Sequence, residues 1–507
     1  MTTTHAVPQC PPNLVATSAP RLGRAAVAMC LALASACKDK EIDAGDDDEP
    51  GANEPCEPAA SGDPSPCADG LLCEPSPTAD GGYACATAIE LHGQVIDGVT
   101  KAAIADALVA ALDETGAPLG DAARTDAEGH YVLQVSARRD ADGNLADDVR
   151  WTLLAAAQDY AIFPGGLRTA LPVDTASPTT VTDDDQHERL VVDNATTIVA
   201  LLPLPGGSGV TLSGRVDAEV PGGTLVVAEG GPAPAPYGIA DASGAWVIFN
   251  VPAAATMVRG YRRGLAVTPT SISGAASDLV LAVEIEDPAA LASVDGSINI
   301  VNAPGGATSS VVLVPTSVYD PLLERGPVPF GLRAPDPGLA PAVAGSFTIV
   351  GVPTGDYQVL AAFENDALVR DPDAAIAGTE LQHVAVPDTN AVTLAESFKV
   401  TEALAVLGPG ADLAEAVTTP PTLRWADDSS EDHYELRVVD AFGTLVWEVL
   451  DVPGVSGSDA VEVPYDGPAL MPGMYYQFRA TSIRETPNMS SPISRTEDLR
   501  GVFVFAP

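Results

Sequence analysis

Basic residues are scarce in this chain: 25 Lys+Arg stand against 69 Asp+Glu in 507 residues, a formal net charge of -44. Nucleic acid and anionic lipid headgroups both need basic patches, so neither is an expected partner. Lysine is rarer still, with only Lys101 and Lys399 beyond residue 40, which excludes a general system of Lys–Asn isopeptide staples. Histidines are few and scattered (His5, His92, His130, His187, His383, His433), with no pair at metal-ligand spacing and no HExxH. There is no Gly-x-Ser-x-Gly elbow, phosphate loop or dinucleotide fingerprint. No cysteine follows Cys85, and no segment after the first forty residues is apolar for long enough to span a bilayer. Aromatics make up only 5% of the chain, too few for an extended sugar-stacking platform once core positions are filled. These absences leave no recognisable catalytic apparatus, and the expectation is a protein that is not an enzyme.

What is present is apolar sequence in short pieces. Hydrophobic residues reach 46%, and 46 Gly and 45 Pro punctuate Val-rich runs. That is the pattern of an all-β chain, and its length suggests about three to five domains. The first residues read differently. Arg21 and Arg24 precede an apolar stretch, Ala25 to Ala36, that runs into Cys37, the layout of a secretory signal. The string Leu33-Ala34-Ser35-Ala36-Cys37 resembles a bacterial lipobox, with Ala34 at the place where Leu is usual. The resemblance implies lipidation of Cys37 as the mature N-terminus; cleavage by ordinary signal peptidase is the alternative. Lys38 after the Cys resembles lipoproteins sorted to the outer membrane. The acidic stretch to Pro55 lacks hydrophobic periodicity, as expected of a tether to a lipid-anchored, membrane-associated protein.

Cys56, Cys67, Cys73 and Cys85 cluster in a Pro- and Gly-rich segment of an exported chain, which implies two disulfides with three pairings open. A four-cysteine metal site is the alternative, though no CxxC pair is present. The spacing loosely resembles Cys-rich modules of growth-factor-binding proteins.

From Ile89 a pattern recurs three times. A Gly-x-(Val/Ile) strand opens each copy: Gly93-Gln94-Val95, Gly214-Arg215-Val216 and Gly296-Ser297-Ile298. An apolar strand follows (Leu108–Leu112, Leu225–Ala228, Val311–Val314), and then Gly before alternating residues: Tyr131/Leu133, Trp246/Ile248 and Phe347/Ile349. Period-two alternation places each pair on one face of its strand. The third copy continues Val352-Pro353-Thr354-Gly355-Asp356-Tyr357, whereas the second keeps Val251-Pro252 and replaces Gly-x-Tyr by an Ala run. Together these motifs resemble the carboxypeptidase regulatory-like family over roughly Ile89 to Ser397, which implies an Ig-like or prealbumin-like β-sandwich. Leu423-Arg-Trp425, Tyr434-Glu-Leu436-Arg-Val438 and Leu470-Met-Pro472-Gly473-Met-Tyr475-Tyr476 then resemble a fibronectin type III domain.

One loop has oxygen ligands at alternate positions. Asp140, Asp142, Asn144 and Asp148 form a candidate structural Ca²⁺ site, although Leu145 stands where the turn Gly belongs and no Glu closes the loop. A solvated acidic hairpin is the alternative; no other cofactor is expected. Asp427-Asp428-Ser-Ser-Glu431-Asp432 is a second acidic stretch, explained by net acidity.

The expected organisation is signal peptide 1–36, lipidated acidic tether 37–55, Cys-rich module 56–88, regulatory-like sandwiches 89–205, 206–290 and 291–400, and a fibronectin-like sandwich 401–507. The expected fold class is all-β: tandem Ig-like β-sandwiches behind a signal peptide, a disordered acidic tether and a small disulfide-rich module. The expected role is a non-catalytic, exported, outer-membrane or cell-surface lipoprotein displaying sandwiches to a surface protein or polysaccharide, for adhesion or envelope structure. The alternative is a carbohydrate-binding accessory protein of a secreted enzyme system.

Overall fold

The computed structural model describes residues 50–507 apart from 58–65, 69–70, 78, 80–81, 141, 147–148, 166–169, 177, 183–186, 206–208, 302–307, 322–324, 338, 340–341, 363–380, 402, 429–430, 456–459, 488 and 497–498. The signal segment, Cys37, most of the acidic tether and Asp148 therefore lie outside the described residues. Within them, the secondary structure is strand throughout, with two single-turn 3-10 helices, Ala195–Thr197 and Pro288–Ala290. No helix among them is long and apolar enough to cross a membrane.

The Cys-rich module is a hairpin of Leu71–Pro75 with Tyr83–Thr87, in which Cys73 lies opposite Cys85. Each of these cysteines bonds a residue earlier in the chain: Cys56–Cys73 and Cys67–Cys85, with Cα–Cα separations of 5.9 and 5.7 Å. The sulfurs cluster closely enough to suggest a metal group, but disulfide bonding consumes all four.

The three sequence repeats fold to one topology. In each, the Gly-bearing strand (Ile89–Asp97, Val210–Asp217, Ala292–Val301) pairs antiparallel with the aromatic-bearing strand (His130–Val135, Ala245–Val251, Ser346–Val352). It also pairs in parallel with the closing strands: Glu188–Val192 and Ile198–Leu201, then Ala276–Glu286, then Val392–Thr393 and Phe398–Thr401. The facing sheet centres on the apolar strand of each repeat. Leu108–Leu112 lies between Ala123–Arg124 and Thr152–Ala156, Leu225–Glu229 between Tyr237–Ile239 and Met257–Tyr261, and Ser310–Pro315 between Arg333–Ala334 and Gly355–Ala362. The Ala run of the second copy does not abolish its strand, because Met257–Tyr261 supplies Val258 and Tyr261 to the interior.

The register explains the repeated glycine. Gly93 lies opposite Tyr131, Gly214 opposite Trp246 and Gly296 opposite Phe347. A Cβ on Gly214 would collide with the Leu279 carbonyl and lie 2.8 Å from the Trp246 ring; on Gly296 it would lie 2.6 Å from the Phe347 ring. The missing side chain is the space into which the cross-strand aromatic folds, and the alternation then buries Tyr131, Leu133 and Val135 while exposing His130, Val132 and Gln134.

The C-terminal sandwich has a three-stranded sheet, Val406–Gly408, Thr422–Ala426 and Ala460–Pro464, facing a larger one. The larger sheet runs Glu415–Val417, Val502–Phe505, Tyr475–Thr486, His433–Asp440, Leu445–Pro453, with Met489–Arg495 also paired to Tyr475–Thr486. Leu423, Trp425, Tyr434, Leu436 and Val438 are all fully buried, and the Trp425 and Tyr434 rings meet edge to face at 5.5 Å. Tyr476 stacks on Phe503 with centroids 5.5 Å apart, and its hydroxyl accepts the Met471 N–H at 2.8 Å, which pins the corner before its strand.

Candidate functional site

The Asp140 loop is a hairpin turn of a type found five times among the described residues. In Asp113–Gly116, Asp126–Gly129, Asp140–Gly143, Asp241–Gly244 and Asp440–Gly443, the fourth residue is glycine at positive φ. In each, the glycine N–H donates to the aspartate carbonyl, and the aspartate N–H donates to the carbonyl of the residue after the glycine. The aspartate Oδ1 accepts the N–H of that same residue in all five. At Asp140 it also accepts the Asp142 N–H at 2.9 Å, and Asn144 Nδ2 lies 3.4 Å from Oδ2. Burial acts to raise the Asp140 pKa, but the hydrogen bonds from Asn144, Asp142 and Gly143 hold it below the ordinary carboxylate value. Asp142 and Asn144 complete the turn, and Asp148 falls outside the described residues. The carboxylate is thus engaged by its own backbone, as in the four sister turns.

That loop stands where the disulfide module meets the first sandwich. A Cβ on Gly143 would lie 2.7 Å from Asn53 Oδ1. Beside it, Arg139 Nε sits 2.5 Å from Glu74 Oε2, with side-chain exposures of 3% and 0%. Glu74 Oε1 accepts the Ala137 N–H at 3.1 Å, and Arg139 Nη2 donates to the Thr87 carbonyl at 2.8 Å. Burial pushes the Glu74 carboxyl up to about 7 despite the opposing attraction of Arg139.

In the second acidic stretch, Tyr434 ties the loop together: its hydroxyl donates to Asp427 Oδ1 at 2.8 Å and accepts the Asp428 N–H at 2.7 Å. Ser482 Oγ donates to Asp428 Oδ2 at 2.7 Å. Glu431 is raised above its ordinary value, first by burial and then by Asp427 and Asp428. These contacts hold a strand connection in place, and among the described residues no metal-ligating group forms there. His92 pairs with Glu90 at 2.8 Å, which Arg189 also reaches at 2.8 Å. Lys101 Nζ lies over the Phe442 ring, 5.5 Å from its centroid.

Sequence reasoning missed the junctions between sandwiches. Between the first and second, Asn250 Nδ2 donates to the Ala157 and Tyr160 carbonyls, and its Oδ1 accepts the Asp159 N–H at 2.8 Å. The second and third share one apolar core, in which Leu225, Val227 and Tyr261 pack with Val312, Tyr357 and Val359. There Glu229 Oε1 accepts the hydroxyls of Tyr261 (2.6 Å) and Ser317 (2.8 Å), with Arg259 at 3.5 Å. The signal for these contacts was weak, because each couples residues tens to hundreds of positions apart.

No family model matches this chain, and no curated protein matches it. Solved structures do. Two B repeat units of the collagen-binding protein of Staphylococcus aureus align at 11% identity, covering 83% of this chain and all of that one, with a TM-score of 0.18. A variant of BcpA, the major pilin subunit of Bacillus cereus, aligns at 12% identity over 62% of this chain and 98% of the pilin, with a TM-score of 0.16. A putative carbohydrate binding protein from Bacteroides uniformis aligns at 10% identity over 41% of this chain and 98% of that one, with a TM-score of 0.18. Superpositions at that level carry nothing about ligand, partner or activity. The chain is described by its own fold: tandem Ig-like β-sandwiches behind a disulfide-bonded module.

Proposed function

We propose that this is an exported, lipid-anchored surface protein without catalytic activity, which presents its sandwiches to a protein or polysaccharide for adhesion or envelope structure. The observation that carries this reading is the pair of disulfides, Cys56–Cys73 and Cys67–Cys85, in a module that follows the lipobox-like Cys37 and its acidic tether. Disulfides persist in oxidising compartments, so the module belongs outside the cytosol. A net charge of -44 suits a solvated surface display. The repeated sheet order supports assigning residues 89–400 to three regulatory-like sandwiches. The pinned corner at Tyr476 and the buried Trp425 support a fibronectin-like domain over 401–507.

Two experiments test the proposal. Metabolic labelling with an alkyne fatty acid should mark the chain, and Cys37→Ser should abolish the label and move the protein from membrane to soluble fractions. An unlabelled, soluble wild type would remove the anchor. The soluble Cys37→Ser chain is then screened on arrays of glycans and envelope polysaccharides and in pull-downs from cell-surface extracts. Saturable, competable capture of one class of surface molecule is expected; turnover of any arrayed glycan would refute the non-catalytic reading.

A further inference from the structure

The order of domains in the sequence implies a row, but the structure brings the last sandwich back onto the first. Tyr475 and Asp174 are 301 positions apart, and the Tyr475 hydroxyl donates to Asp174 Oδ2. Around that bond Leu171, Tyr475 and Val502 are buried together, with Ala195, Ala414, Ala441 and Val504 packed at their edge. The acceptor is held from its own side: the Asp174 N–H donates to Thr196 Oγ1 at 3.0 Å, and Asn194 Nδ2 donates to the Asp174 carbonyl at 2.9 Å. Two further contacts flank the patch. Arg150 Nη2 donates to the Asp412 carbonyl at 3.1 Å, and Lys101 lies over Phe442.

This junction differs in kind from the one between the second and third sandwiches. There a single continuous apolar core crosses the boundary. The patch that joins first to last contains three buried side chains. Domain contacts that are small and partly polar open readily, whereas large apolar ones stay fixed.

We propose that the C-terminal sandwich is a reversible latch. Closed, it covers the Leu171–Asp174 face of the first sandwich; open, it swings away and exposes that face together with its own Tyr475 and Val502. The latch makes the reach of the chain adjustable, whichever molecule the sandwiches meet, and so does not depend on the function proposed above.

The test uses the soluble Cys37→Ser chain with Lys101→Cys and Phe442→Cys, treated with a short bismaleimide. Rapid intramolecular cross-linking is expected in this parent. Adding Leu171→Asp, which buries a charge in the patch, should slow it by about fivefold or more and raise the radius of gyration in X-ray scattering. Tyr475→Phe should act in the same direction, and more weakly. Hydrogen exchange reads the opening: amides beside Leu171 and Val502 should exchange well before those of the Leu108–Leu112 strand. A cross-linking rate unchanged by Leu171→Asp would overturn closure. Exchange at the patch only with global unfolding would overturn reversibility and leave a fixed junction.

Discussion

The Arg139 guanidinium reaches across from the first sandwich to Glu74 of the disulfide module and forms a buried ion pair at 2.5 Å. Removing one partner of such a pair strands the other charge. Above pH 7, where Glu74 is ionised, Arg139→Ala should therefore cost about 3–5 kcal/mol in denaturant unfolding, whereas Glu74→Gln keeps the shape and should cost less. The pair also gives a pH signature. Glu74 holds its proton up to about 7 in the folded chain, against 4.5 for an ordinary Glu. Between those values the folded state binds more protons than the unfolded state, so stability falls as pH rises. The contribution is complete below about 4.5 and lost as pH passes through 7. Thermal midpoints of wild type minus those of Glu74→Gln should fall across that window; a flat difference would show that the carboxyl is not shifted.

The repeat glycines offer a sharper contrast. At Gly214 an added methyl meets the Leu279 carbonyl and the Trp246 ring, and neither can retreat without disturbing the sheet. At Gly345 nothing lies within 4 Å of the same methyl. Overpacking of this kind costs about 1–3 kcal/mol, so Gly214→Ala should lower the unfolding midpoint clearly. Gly345→Ala should be neutral or slightly stabilising through the loss of unfolded-state freedom, by up to about 1 kcal/mol. Equal effects would mean that Gly214 is a turn residue rather than a space for the aromatic.

Those glycines also show what was legible in the sequence. The strand Leu108–Leu112 is an apolar run between turn residues and is legible directly. The alternation at Tyr131 and Leu133 gives the buried face, because a half-buried strand has a strict period of two. The recurrence of Gly93, Gly214 and Gly296 was visible, but its reason was not, since the aromatic that fills the space lies about thirty to fifty residues later and only register brings it opposite. The Asp-x-x-Gly turns are equally visible; Asp140 alone resembles a cation loop, and beside Asp113, Asp126, Asp241 and Asp440 it also has the hydrogen bonds of a repeated turn. Glu74 with Arg139 and Asp174 with Tyr475 could not be found from pattern, because nothing local marks which charges and hydroxyls will face each other across domains.

Because the Asp140 carboxylate already accepts backbone N–H groups, calcium has little to gain there. Thermal midpoints with millimolar Ca²⁺ and with chelator should agree, as should those of wild type and Asp142→Ala. Asp140→Ala should cost about 0.5–1.5 kcal/mol for each hydrogen bond lost from the turn. A cation present at a hundredfold excess over its dissociation constant would instead stabilise the chain by about 2.7 kcal/mol; a chelator-sensitive midpoint abolished by Asp142→Ala would establish a calcium site.

Asn250 gives the most direct test of whether the first two sandwiches unfold together. It sits at φ 59°, a left-handed conformation that Asn tolerates better than most residues. There its amide satisfies two carbonyls of the first sandwich while its carbonyl accepts the Asp159 N–H and Gln158 Nε2. Asn250→Ala removes every one of these bonds and keeps an unfavourable φ; Asn250→Gly removes the bonds and relieves the φ. Both should weaken the junction by about 1–3 kcal/mol for the polar groups left unpaired, with Gly the milder of the two. In calorimetry the melting of the two sandwiches should then separate, the second shifting away from the first. The interiors are untouched, because the core of the second sandwich around Leu212, Trp246 and Ile248 does not involve Asn250. If the single-site variants melt in the same cooperative transition as wild type, the sandwiches are coupled elsewhere, and Asn250 is only a bystander at their boundary.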